Sequence, residues 1–410
     1  MAALTDLIWL STREGLRPGL AVELLRRFGT AEAVYRADAG ELELLDLPAR
    51  LRQSLLDKRL DGAERVLEDC DREGMTLLTC LDAAYPERLL QLEDYPLVLY
   101  VKGTLPRMDG EVAVGMVGSR RCTPYGETMA GRIALDLARS GAVVVSGMAE
   151  GIDSAALRGA LQGGGKAVSV LAGGADVVYP RSNRWLYQDV LASGAVLSEN
   201  PPGTRPDGWR FPIRNRIISG LSLGVVVVEA AEHRSGSLIT ARDALDQGRD
   251  VFAVPGPADA PMSGGANLLI SRGEARLVRS AWDILEEYVG RFPHKLAFPP
   301  PLTAEEEAAR LSVGPPEPEG EASSRQKPPD PDPPELPPVA AADLARLGDE
   351  QRDILLLLAE HSLTADELVG RTDIPARRVN TALTILQAQG YLEELPGRRF
   401  RAAVRLDQDR

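Results

Sequence analysis

The sequence predicts an α/β protein built on a doubly wound, extended Rossmann-like, mostly parallel sheet, with a small helical module before it and a winged helix after it. Three observations carry that expectation. Between residues 76 and 290, short valine-rich runs without polar alternation recur between stretches of helical spacing, as in a sheet covered on both faces. Thirteen prolines crowd residues 299–338, with nine acids against three basic groups, which reads as a linker. Beyond it, three helical patterns end in a hairpin signal. The expected domains are a SAM-like or helix-hairpin-helix-like module at 1–75, the sheet domain at 76–290, an extended mobile linker at 291–342 and the winged helix at 343–410.

Residues 1–75 divide into short helices. Leu4 to Leu10 is apolar and Pro18 breaks it; Ala21–Phe28 follows, and Thr30 caps the next helix. Helices near Leu42–Leu56 and Leu60–Glu73 complete the module. Its acidity favours a packing or protein-contact role, with DNA contact as the alternative. From residue 76 the period changes. Strands are expected at Met75–Thr79, Val98–Val101, Val112–Val117, Ala142–Val145, Ala167–Leu171, Ala195–Leu197, Val225–Glu229 and Val251–Val254. Helices are expected at Gly126–Arg139, Ile152–Leu161, Arg184–Ala192 and Leu238–Gln247. In the winged helix, Asp349–Glu360, Ala365–Val369 and a run from Ile374-Pro375 to Ala388 are helical, and strands flank Pro396-Gly397. Its third helix offers Arg377, Arg378 and Asn380, so duplex contact, protein contact and autoregulation all stay open.

Composition narrows the function. No apolar run reaches the ~20 residues that span a bilayer, and no basic, apolar leader opens the chain, so a cytoplasmic protein without membrane contact is expected. Cys70, Cys80 and Cys122 with His233, His294 and His361 make neither a disulfide framework nor a zinc site. The net charge of −13 is unevenly spread: residues 1–110 carry 14 basic and 20 acidic groups, whereas 111–290 carry 18 and 19. A local cationic patch in the sheet domain therefore survives the global excess of acid, because salt screens charge beyond ~8–10 Å.

Candidate chemistry gathers at the carboxyl ends of the expected strands, where doubly wound sheets bind ligands. Gly118-Ser119-Arg120 follows the first strand of the alternation, offering N–H groups, a hydroxyl and a guanidinium to an anionic oxygen. Ser146, Gly147 and Gly151 belong to the loop after the next strand. Gly173-Gly174, Arg181, Ser235-Gly236-Ser237 and Pro255-Gly256 end others, and Lys166 joins the basic candidates. The densest block is Arg210-Phe211-Pro212-Ile213-Arg214-Asn215-Arg216, at the mouth of the apolar run Leu221 to Val228. Arginine interleaved with an aromatic suits a single strand, charge for phosphates and a face for bases; a structural arginine cluster is the alternative. There is no GxGxxG or GxxxxGK[ST] fingerprint, and no Ser/His/Asp set can be assembled. A hydrolase could use Glu150, Asp153 and Glu229, but Asp153 reads as a helix cap and Glu229 as a loop holder.

Together Val117-Gly118-Ser119-Arg120, Ser146 to Asp153, Tyr179-Pro180, Phe211 to Gly220, Ser235 to Ala241 and Val254-Pro255-Gly256 resemble the DNA-processing protein A (DprA/Smf) family. The resemblance implies a dimeric protein that binds single-stranded DNA, protects it during natural transformation and loads the RecA recombinase, without catalysis or cofactor. It gives Arg120 a phosphate contact, Phe211 a base to stack on and Arg181 a backbone contact. Gly208 departs from relatives that carry a basic residue three before the phenylalanine; Arg210 is the substitute. A phosphoribohydrolase-like enzyme is the alternative, although Ala172-Gly173-Gly174-Ala175 lacks the proline, third glycine and threonine of its loop.

Overall fold

The computed structural model describes residues 2–232, 235–311, 338–339, 347–360, 363–372, 374–388, 391–395 and 399–406. These fall in two compact units, Met1–Pro318 and Glu319–Arg410.

The first unit opens with α1 (Ala2–Ser11), α2 (Pro18–Phe28), α3 (Ala31–Arg36), α4 (Ala39–Glu43), α5 (Ala49–Leu56) and α6 (Asp61–Glu73). The single helix expected over Leu42–Leu56 is two, because Pro48 has no N–H to give to a continuing turn. Trp9, Val34, Leu51 and Leu55 bury together with Leu97, Val98 and Tyr100. The helical layer thus closes over the edge of the sheet and shares a core with it.

The sheet contains β1 (Thr76–Thr79), β2 (Val98–Gly103), β3 (Ala113–Val117), β4 (Val143–Ser146), β5 (Ala167–Val170), β6 (Ala195–Ser198), β7 (Gly224–Val227), β8 (Asp250–Ala253) and β9 (Arg276–Leu277). Their order is β1-β2-β6-β5-β4-β3-β7-β8-β9. β1 and β2 run antiparallel at one edge; the strands from β6 to β9 are parallel. After the short α7 (Glu87–Leu90), the helices divide between the two faces: α8 (Pro124–Arg139), α9 (Ile152–Gln162) and α10 (Arg184–Ser193) on one, α11 (Arg210–Leu221), α12 (Gly236–Asp246) and α13 (Gly264–Ser271) on the other. The period of two explains the continuous apolar strands. Val114 and Met116 of β3 enter the first core, while Ala113 and Val117 enter the second. The inner strands β3 to β7 are therefore buried on both faces, whereas the edge strands β1 and β9 are partly exposed.

The start of the expected linker packs, and does not extend freely. After α14 (Trp282–Leu285), Phe292 and Leu296 join the first core, and the Ala297 N–H donates to the Ser140 carbonyl at 2.9 Å. α15 (Ala304–Leu311) follows, with Glu307 paired to Arg132 of α8 at 3.2 Å. Ala304, Ala308 and Leu311 form a stripe at helical spacing, a weak signal beside so many prolines. Most of the remaining proline-rich stretch lies outside the described residues.

The second unit is a winged helix. Helices Asp349–Glu360, Ala365–Arg371 and Ala376–Ala388 enclose Ile354, Leu358, Leu368, Val379, Leu383 and Leu386. Strands Leu363–Thr364, Arg399–Ala402 and Leu392–Leu395 form an antiparallel sheet in that order. Thr364 caps its helix in a reciprocal box with Glu367. Among the described residues of the whole chain, no helix is long and apolar enough to cross a membrane.

Candidate nucleic-acid interface

Strand order reverses between β3 and β7, and a cleft of about 400 Å³ opens at their carboxyl ends. Gly118, Ser119 and Arg120 reach it from the turn after β3, and Ala149 and Asp153 from the segment after β4. Phe211, Arg214 and Asn215 come from the first turns of α11, facing Ser235 to Ser237 ahead of and opening α12. The exposed Arg120 guanidinium lies over the Phe211 ring, 4.7 Å from its centroid. Tyr179 meets the same ring edge-on at 5.7 Å. Among the described residues no carboxylate forms an ion pair with Arg120, Arg121, Arg181, Arg184 or Arg205.

Why the Phe211 block is helical was hidden in its composition. Pro212 sits in the first turn, where a missing N–H costs nothing. From Arg214 to Leu221 every residue is buried, so the helix has no polar face and shows no 3.6-residue period.

Beneath the cleft a buried network sets the loops. Arg214 donates to the Gly147 carbonyl at 2.8 Å, to the Val170 carbonyl and to Asn215 Oδ1 at 3.2 Å. Its guanidinium carbon is 5.8 Å from the Phe211 centroid. A Cβ on Gly147 would fall 2.6 Å from the guanidinium nitrogens, so only glycine admits this arginine. Burial pulls the Arg214 pKa down to about 10, against the pull of Asp153, and leaves it charged at neutral pH. Asp153 accepts from the Gly147 N–H at 3.2 Å and the Ala149 N–H at 3.4 Å. Burial pushes its carboxyl above the usual carboxylate range, with Arg214 the main opposing influence. The side chain thus clamps the loop before α9, where the sequence suggested a cap on α9 itself. Within that loop Met148 takes φ +61° and Gly151 φ +76°, and Asn183 donates to the Met148 carbonyl at 2.8 Å. Glu229 accepts from the Thr123 N–H at 2.8 Å and its hydroxyl at 2.5 Å, holding the start of α8.

The thirteen candidate residues therefore separate. Gly118, Ser119, Arg120, Phe211, Arg214 and Asn215 line the cleft, and Gly151 packs against the backbone of the Ser119-Arg120 turn. Ser146 and Gly147 lie buried beneath it, the Ser146 hydroxyl spent on the Met116 carbonyl at 2.6 Å. Arg181 is exposed on the loop that follows Tyr179. Arg210 turns to the other side of α11, where it bonds Asn200 and stacks 4.3 Å from the Trp209 centroid. Arg216 is buried between Asp94 at 3.0 Å and Glu199 at 2.7 Å. Burial opposes its charge, but the two carboxylates outweigh that and hold the guanidinium pKa up. Lys166 precedes β5, at the amino ends of the strands, and pairs with Glu111 at 3.6 Å. Tyr179, Trp209, Thr240 and Met262 were not among the candidates. Tyr179 and Trp209 carried a faint signal, an aromatic within two residues of an arginine in each case.

Fold and cleft together define a doubly wound α/β binding domain whose strand-end crevice is furnished with arginine, aromatic rings and glycine turns. Residues 76–289 match the family model described as DNA recombination-mediator protein A, and residues 327–398 match that of the DprA winged helix domain. The chain belongs to the DprA/Smf family. It is 43% identical to the DNA processing protein DprA of Bacillus subtilis, over 54% of this chain and 74% of the relative. Protein Smf of Synechocystis is 31% identical over 98% of this chain and 99% of its own. The X-ray structure of DprA from Streptococcus pneumoniae superposes with a TM-score of 0.59 at 34% identity, covering 69% of this chain and 97% of that one.

Proposed function

We propose that the chain binds single-stranded DNA along the strand-end cleft and acts as a recombination mediator, with no covalent step. The observation that carries this reading is the Arg120–Phe211 stack, a guanidinium with no ion pair among the described residues lying on an aromatic face inside a glycine-lined crevice. Phosphate neutralisation and base stacking are the two things a single strand asks of a protein. Two of the three carboxylates that a hydrolase could use support binding over hydrolysis: Asp153 and Glu229 both hold backbone N–H groups. Loading of RecA, action as a homodimer and a place in natural transformation rest on the family resemblance. Duplex contact through the C-terminal unit is proposed from its winged-helix fold, with protein contact and autoregulation as the alternatives.

Fluorescence anisotropy with a labelled oligonucleotide across a salt series tests the reading. Phe211→Ala is expected to weaken binding about tenfold or more, at ~1–3 kcal/mol per stacked base. Arg120→Ala is expected to lower affinity and to flatten log K against log salt by about 0.7, one phosphate on a single strand. Unchanged affinity and slope in both variants would overturn it, as would release of free base from nucleoside monophosphates.

A further inference from the structure

A second recess, of about 600 Å³, lies where the helical layer meets the sheet. β2 runs antiparallel to β6, so Leu97 and Val98 at its start stand beside Glu199 and Asn200 at the end of β6. The recess is therefore on the same carboxyl rim as the cleft. The two share a wall, the first turn of α11: Trp209 and Arg210 face the recess, Phe211 and Pro212 the cleft.

What lines it is suited to a nucleic-acid strand. The Trp209 indole is 60% exposed and has the Arg210 guanidinium against it. Arg17, where α2 begins, is exposed and has no ion pair among the described residues; Arg205 is not in the lining but follows Thr204, which is, and it too is exposed without an ion pair among the described residues. The acids nearby are largely engaged. Glu199 is held by Arg216, Glu14 by Arg50, and Asp207 stands 3.6 Å from Arg210.

We propose that this recess takes the continuation of the strand held in the cleft, with Trp209 as a second stacking platform and Arg17 and Arg205 as phosphate contacts. The inference rests on the reading of the cleft as a single-strand site. From β7 to β2 the rim crosses five strand spacings, about 24 Å at ~4.8 Å each. A stacked strand advancing ~3.4 Å per nucleotide places about seven nucleotides along it, of which the recess takes the outer half. The helical layer then supplies part of the DNA path through Arg17.

Full-length protein titrated with oligothymidylates of about 4 and about 12 nucleotides, within the range of single-strand site sizes, tests this. Trp209→Ala and Arg17→Ala are expected to bind the short oligonucleotide as the parent does and to lose about tenfold on the long one. Trp209→Phe, which keeps a ring, is expected to restore most of that loss. Arg120→Ala serves as the control and is expected to lose affinity at both lengths. If Trp209→Ala and Arg17→Ala match the parent at both lengths, or lose equally at both, the extension is overturned. If Arg120→Ala binds both lengths like the parent, the cleft reading itself is what fails.

Discussion

Arg120 and Arg216 fall in the same sequence class but do opposite things, and solvation decides which. Arg120 is exposed, so its charge is available to a phosphate; Arg216 is desolvated and already neutralised by Asp94 and Glu199. Removing it strands two carboxylates in a poor solvent, and Arg216→Ala is expected to cost about 3–5 kcal/mol of stability. Urea denaturation measures this, and a loss below about 1 kcal/mol would deny the ion pairs a supporting role. Asp243 on α12 shows the converse strain. Burial, then Asp94 and Asp246, push its carboxyl up to about 6, and its Oδ2 has no hydrogen-bond partner. Because the folded value exceeds the unfolded one, the group's contribution is complete below about pH 4 and is lost as pH rises through about 6. Asp243→Asn is expected to stabilise the protein by about 1 kcal/mol at pH 7.5, a figure reduced for partial exposure. At pH 4 the gain should vanish; denaturation curves at the two values check the sign.

The loop between β4 and α9 is the element on which the cleft depends. Gly151 adopts φ +76° and ψ −126°, and a Cβ there would overlap the carbonyl oxygens of Ser119 and Arg120. The turn bearing Arg120 and the loop leading into α9 can approach only because that carbon is absent. Gly151→Ala is expected to cost about 1–3 kcal/mol in backbone strain, beyond which the overlap displaces the Arg120 turn. Both denaturation and oligonucleotide affinity should fall together. A variant with lowered stability but parental affinity would separate the loop from the site.

For the molecule as a whole, the packed start of the proline-rich segment moves the natural boundary of the first unit. A fragment ending at 290 lacks Phe292, Leu296 and α15, all of which lie on the sheet domain or its helices. It is expected to be about 2–4 kcal/mol less stable than a fragment ending at 318, from the lost apolar burial. Thermal melts of the two compare directly. Equal stability would mean that residues 291–311 rest on the surface without supporting it.

Fold class, most strand positions and the strand-end location of the candidate site were legible in the sequence, because each rests on a local signal: valine runs buried on both faces and glycine after a strand. That Arg120 and Phe211 meet at that cleft was foreshadowed for the same reason, as residue types suited to phosphate and base. What the chain order could not say is which arginines meet solvent. Arg214 and Arg216 differ from Arg120 only in the layer that covers them, and that layer is assembled from Asp94, Gly147, Val170 and Glu199, far apart in sequence. Nor could it show that Trp209 and Arg17 lie on one rim, since antiparallel β2 and the helical layer bring them there. Local chemistry names the groups that can bind; burial, a property of the whole fold, selects those that are free to.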